Sequence, residues 1–269
     1  MTGGHGMADN RIALVTGGAQ GLGFAAAKRF LEQGFGGVML LDRNGPKLAE
    51  AVGKLKPLGK VQALEGDLLD LGLPARAVAA TLQAFGRLDV LVNAAGNTER
   101  CGLDDSSPEA FDRLFGVNVK APLFLMQEAV KAMRAKGGGT IINVSSMLSH
   151  GGPPNLATYS ASKSALNTLT RSVANTVKRD GIRVFAINLG WVHSEGEQAL
   201  QTAFHGLPEN WAEEIGRRMP SGRLIVPEDV AGLFAYLVSP SAQMMTGAMI
   251  DYEQMPAGVF DAHPALAPE

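Results

Sequence analysis

Seven short runs of almost unbroken apolar residues punctuate this chain: RIALVTG (11–17), GGVMLLD (36–42), VQALEGD (61–67), LDVLVNAAG (88–96), GTIINVSS (139–146), IRVFAINLG (182–190) and TGAMIDY (246–252). None alternates polar with apolar residues, which predicts strands buried on both faces, as in a parallel sheet covered by helices. The segments between them, such as LGFAAAKRFLEQG and PEDVAGLFAYLVS, carry helical spacing and end at Gly or Ser-Pro. Strand and helix in regular succession predict an α/β chain folded as an open doubly wound sheet. No Pro/Ser-rich linker divides it, so one domain is expected over 10–255, between a flexible N-terminal tail (1–9) and a C-terminal tail (256–269). Residues 195–222 form an insertion with amphipathic helical patches between a strand and the next helix, and are expected to act as a substrate lid.

Glycine supplies 33 of the 269 residues, well above the usual share of about 7%. Many backbone positions therefore need tight turns or close approach to a ligand. Charge is balanced, 24 basic against 26 acidic residues with no long run of one sign, so neither a nucleic-acid nor an anionic-membrane footprint appears. A small-molecule partner is expected instead. The single cysteine, Cys101, excludes an internal disulfide framework and a multi-cysteine zinc site, and no metal site is expected. The start lacks a basic n-region and an apolar h-region, and no apolar run approaches the roughly 18 residues of a membrane span. The expectation is a soluble, cytoplasmic protein.

VTGGAQGLGFA (15–25) follows the first strand and opens the first helix, with Gly17, Gly21 and Gly23 in it. In that position missing side chains let a helix N-terminus approach a pyrophosphate, where amide N–H groups and the helix dipole favour negative charge. Asp42 closes the second strand 19 residues after Gly23, where an acid would hold the adenosine ribose hydroxyls and repel a 2′-phosphate. NAD is expected over NADP, although Arg43 next to it could recruit a phosphate. Asp67 after the third strand could accept from the adenine amino group or serve as a helix N-cap.

YSASK (159–163) places a phenol and an ammonium group one helical turn apart among small residues. Tyrosine ordinarily titrates near pH 10, far from a useful acid/base at neutral pH, and a cation on the same face favours the phenolate. Lys163 is thus a plausible tuner of Tyr159. Taken with TGGAQGLG (16–23), NAAG (93–96) and NVSS (143–146), the stretch resembles the short-chain dehydrogenase/reductases, in their short single-domain branch. The resemblance runs from about residue 10 to 252. It implies a Rossmann-type, seven-stranded parallel sheet with helices on both faces, and a homotetramer built on helices around 108–136 and 157–180. It also implies that Tyr159 is the general acid/base, that Lys163 lowers its pKa and holds the nicotinamide ribose, that Ser146 orients the substrate oxygen in preference to Ser145, and that Asn118 holds a water linking the lysine to solvent. Further cofactor contacts implied are Gln20, Leu22, Leu68, Asn93, Ala94, Ala95, Gly96, Gly190, Val192 and Ser194.

The chain departs from that family in two places. NLGWVHSEGE (188–197) has Leu189 for the usual proline and Ser194 for the usual threonine, and IDYEQMPAG (250–258) has Tyr252 and Glu253 for two glycines. Residues near the tetrad that the family leaves free, Thr98, Glu99, Arg100, His150, Asn155, Trp191, His193, Glu195 and Glu197, are mostly polar. A steroid or acyl-chain site should be more uniformly apolar. Glu99, His150, Asn155, Trp191 and His193 are therefore expected to meet a sugar or polyol, and GWVHSEGE with MMTGAMIDYEQ is faintly similar to bacterial sugar and aldose dehydrogenases. The leading expectation is an NAD-dependent alcohol or sugar dehydrogenase. The alternatives are an NADPH-dependent carbonyl or 3-oxoacyl reductase and a catalytically silent dinucleotide-binding sensor or scaffold.

Overall fold

In a computed structural model, residues 9–255 and Ala257 are described. Apart from Asp9, which already belongs to the first strand, and Ala257, the two expected tails lie outside the described residues. The strands are β1 (Asp9–Thr16), β2 (Phe35–Asp42), β3 (Val61–Glu65), β4 (Val90–Asn93), β5 (Gly139–Ser146), β6 (Ile182–Leu189) and β7 (Met249–Tyr252). They form one sheet in the order β3-β2-β1-β4-β5-β6-β7, with every pairing parallel. The helices are α1 (Gly21–Glu32), α2 (Gly45–Leu55), α3 (Leu73–Phe85), α4 (Pro108–Phe115), α5 (Ala121–Lys136), α6 (Ala157–Val177), α7 (Glu195–Ala199), α8 (Trp211–Gly216) and α9 (Pro227–Val238).

Successive strand residues point to opposite faces, and here both faces are apolar. Ala13, Val15, Val38, Leu40, Val90 and Val92 pack in one core with residues of α1, α2 and α9, whereas Leu14, Met39, Leu41 and Leu91 pack in a second core with residues of α3, α5 and α6. That explains the continuous apolar runs in the central strands. The two edges differ: β3 is half to fully exposed along its length and β7 is nowhere fully buried, because an edge strand lacks a covering neighbour on one side. Both run shorter than their apolar stretches.

Strand order reverses beside β1, whose neighbours are β2 on one side and β4 on the other. Loops leaving β1 and β4 therefore diverge and open a crevice above the carboxyl ends of the strands. Thr16 closes its floor, since its Oγ1 accepts from the amides of Ala94 and Ala95 at 3.1 Å each.

Candidate active site

The glycine turn sits at this crevice. Gly17 has φ +65° and Gly21 φ +57°, left-handed values that favour glycine, and a Cβ on Gly23 would collide with the Gly17 carbonyl. The turn thus brings the start of α1 up to the crevice with its backbone bare. Gln20, the N-cap of α1, makes no side-chain cap; its Oε1 instead accepts from Lys47 Nζ at 2.5 Å. The first-turn amides are left for an anion.

Asp42 stands at the end of β2, its Oδ2 accepting from the Ala19 amide at 3.2 Å and its Oδ1 from the Asn44 amide at 3.0 Å. Each oxygen keeps a further lone pair for a hydroxyl donor. Arg43 beside it is exposed. Asp67 is not the N-cap of the next helix: α3 begins at Leu73 behind Gly72, and Asp67 closes a local turn by accepting from Leu69 N at 2.9 Å. Leu68 is half-buried against the second core. Asn93, fully buried at the end of β4, donates to Asn143 Oδ1 at 2.8 Å.

The donor set fits a dinucleotide: a bare helix start, a carboxylate at the second strand end, and Gly96, where a Cβ would lie 3.6 Å from Asn118 Oδ1 and 3.7 Å from Lys163 Nζ. Gly96 therefore keeps open the space beside the lysine.

α6 carries Tyr159 and Lys163 inward, both almost fully buried. Lys163 Nζ donates to the Val144 carbonyl on β5 at 2.8 Å, and Ser146 at the end of that strand lies close enough to the phenol to favour its ionised form. Ser145 donates to the Lys163 carbonyl at 3.3 Å, so of the two serines Ser146 is the one that meets Tyr159. Asn118 lies in a π-helical turn, Gly116–Lys120, between α4 and α5. Its Nδ2 donates to the Asn97 carbonyl at 2.8 Å and Ser162 Oγ at 3.0 Å, while its Oδ1 accepts from the Asn97 amide at 2.8 Å. A widened turn of this kind frees a carbonyl from the regular ladder.

Electrostatics differ from the sequence expectation. Burial pushes Tyr159 up to about 12, outweighing the lowering effect of Ser146, and the negative charge of Glu197 pushes the same way. Lys163 is pushed down to about 8, also by burial. Its Nζ sits 5.7 Å from the centroid of the Tyr159 ring, held by a backbone carbonyl. Desolvation penalises the charged form of each.

Tyr159, Ser146 and Lys163 open on a cavity of about 580 Å³, which Leu22, Ala94, Gly96, Gly190, Val192 and Ser194 also line. Of the five expected substrate contacts, Asn155 and Trp191 line it and three do not. Glu99 pairs with Arg113, His150 faces Asp251 at 3.2 Å, and His193 bonds Gln198 at 3.0 Å and meets the Trp211 ring edge-on. Each is turned to a polar partner on another element: Arg113 on α4, Asp251 on β7 and Gln198 on α7. The wall also holds Met147, Leu148, Leu156 and Leu200, so it is more apolar than the loop sequences imply.

Sequence reasoning missed Gln201 and Glu253 as cavity residues. Gln201 stands one helical turn after Glu197, a spacing that could have revealed it. Glu253 packs against Gly190 so closely that a Cβ there would collide with its carboxylate. In the first departure from the family pattern, Leu189 is buried in the first core, and Ser194 caps α7 by accepting from the Glu197 amide at 3.2 Å.

Residues 11–203 match the family model described as short chain dehydrogenase. The chain is 34% identical over 250 residues to 3alpha-hydroxysteroid dehydrogenase of Mediterraneibacter gnavus, covering 92% of this chain and 97% of that one. Among solved structures it is similar to actinorhodin polyketide ketoreductase with NADPH, at TM-score 0.86 and 27% identity over 92% of this chain and 97% of that one. It is also similar to NAD+-bound xylitol dehydrogenase, at TM-score 0.84 and 26% identity over 92% of this chain and 99% of that one.

Proposed function

The chain belongs to the short-chain dehydrogenase family, and from that premise we propose that it is an NAD-dependent oxidoreductase interconverting a secondary alcohol, or the lactol or polyol hydroxyl of a sugar, with the carbonyl. The observation that carries this reading is the meeting of Tyr159, Ser146 and Lys163 on one cavity beside the glycine turn. A bound nicotinamide supplies the hydride acceptor or donor. Ser146 Oγ orients the substrate oxygen; Tyr159 Oη, as the neutral phenol, gives its proton to that oxygen when the carbonyl is reduced, and as the phenolate takes the hydroxyl proton when the carbonyl forms. Lys163 holds the ribose and contributes positive charge in a low-dielectric setting, and Asn118 keeps its water path open.

Asp42 favours NAD, since a carboxylate at the ribose hydroxyls repels a 2′-phosphate. The xylitol dehydrogenase likeness, with NAD+ bound, agrees with both the coenzyme and a polyol substrate in carbohydrate metabolism. α7 and α8 with their flanking loops serve as the lid over that substrate, α4 to α6 as the faces of a homotetramer, and the compartment is the cytoplasm. A second reading, an NADPH-dependent carbonyl reductase, is favoured by exposed Arg43 beside Asp42 and by the ketoreductase likeness.

The test is absorbance at 340 nm with NAD and NADP in parallel, across aldoses, polyols, hydroxysteroids and simple secondary alcohols. The expected result is turnover of a sugar or polyol with NAD. Turnover only of apolar alcohols would replace the substrate class, turnover only with NADP(H) would favour the second reading, and no turnover of any would favour a silent binding protein.

A further inference from the structure

Glu197 sits in the cavity wall on α7, and its Oε1 accepts two hydrogen bonds, from Trp191 Nε1 at 2.8 Å and from Gln201 Nε2 at 2.7 Å. Its Oε2 makes no hydrogen bond among the described residues. Gln201 is itself only 3% exposed, and its Oε1 accepts from Arg100 Nη2 at 3.5 Å. An amide placed between a cation and a carboxylate has one orientation only, N–H₂ toward the anion and oxygen toward the guanidinium. Gln201 thereby keeps Arg100 off Glu197, and the carboxylate has no ion pair among the described residues. The result is a braced, negatively charged acceptor with unused capacity in the substrate cavity, close enough that its charge is felt at Tyr159.

Such a group demands a donor, and an apolar substrate would leave it stranded at a desolvation cost. A substrate carboxylate would be repelled by it, and by the second carboxylate on the same wall, Glu253. A hydroxyl satisfies it. We propose that Glu197 is the specificity-determining residue of this site, accepting a hydrogen bond from a second hydroxyl next to the one that reacts, so that the preferred substrate is a vicinal diol within a sugar or polyol. This rests on the dehydrogenase reading above.

Glu197→Gln keeps an acceptor for Trp191 and Gln201 but replaces the other oxygen with an N–H₂ that cannot accept, and Glu197→Ala removes the group altogether. The probe pair is cyclohexane-1,2-diol against cyclohexanol with NAD, read as kcat/KM, with NAD affinity as the control for an intact site. The wild type is expected to prefer the diol, and both variants are expected to lose about 10- to 100-fold on the diol, the range for one charge-assisted hydrogen bond. On cyclohexanol the same variants should change less than about threefold. Equal losses on both alcohols, no loss on either, or a wild type that prefers cyclohexanol would overturn the proposal. In the last case cyclohexanol turnover that Tyr159→Phe abolishes leaves the dehydrogenase reading standing, whereas a wild type silent on both alcohols counts against that reading as well.

Discussion

Two buried charge sites lie at opposite ends of the same sheet and are built on opposite plans. At the amino end of β4, Asp89 is buried and completely answered. Its Oδ2 accepts from the Ile12 amide at 2.8 Å and from Arg87 Nε at 2.8 Å, and its Oδ1 from Arg87 Nη2 and Lys136 Nζ at 2.7 Å each. Burial pulls its pKa up, but these donors outweigh it and hold the carboxyl below its ordinary range. At the carboxyl end, Tyr159 and Lys163 are buried too and largely unanswered: among the described residues the lysine has one backbone carbonyl and no carboxylate. The first site ties β1, β4 and α5 together. The second leaves the charged forms of both groups penalised by burial and open to a ligand's charge, and such uncompensated burial is what functional sites tend to carry.

Removing the central group of each site should separate these plans. Tyr159→Phe is expected to lower kcat/KM by about 10³-fold, within the range for a lost general acid/base, while the thermal midpoint stays put or rises. Assay at 340 nm beside calorimetry checks both, and an active variant would remove Tyr159 from the chemistry. Asp89→Asn should do the reverse. It leaves Arg87 and Lys136 facing an amide, at an expected cost of about 2–4 kcal/mol in urea unfolding, with kcat and KM unchanged. A catalytic defect there would mean that the two ends of the sheet are coupled.

The contrast also explains what the sequence could and could not reveal. Central strands and the glycine turn were legible because each residue's role is local: apolarity on both faces of β1, β2 and β4, and left-handed backbone at Gly17 and Gly21. Tyr159 and Lys163 were legible as a pair because they share one helix. Their pKa directions were not, since burial is set by β5 and the cavity wall, far away in sequence. For the same reason Glu99, His150 and His193 looked like substrate contacts: their partners Arg113, Asp251 and Gln198 are found only when loops are placed in space. Glu253 read as a change at a subunit contact, and only the approach of its carboxylate to Gly190 shows it as cavity wall.

The smallest expected effect concerns the pH dependence of stability. Lys163 titrates at about 8 in the folded chain against an ordinary 10.5, so between those values the unfolded chain holds a proton that the folded chain has released. Stability therefore rises with pH through that window. Tyr159 acts in the opposite sense, titrating at about 12 when folded against an ordinary 10, so above pH 10 the unfolded chain ionises first and stability falls. The lysine's gain thus accumulates mainly between pH 8 and pH 10, at about 1.4 kcal/mol per pH unit at most, or about 2 kcal/mol after allowing for partial titration at each end. Lys163→Met should abolish that rise and raise stability at neutral pH, where the wild type carries a buried unpaired charge. Urea unfolding of both proteins from pH 7 to 10 measures it as a difference, which cancels every other group titrating there. Parallel curves would mean that Lys163 is solvated or paired in solution, and the two ends of the sheet would then handle charge alike.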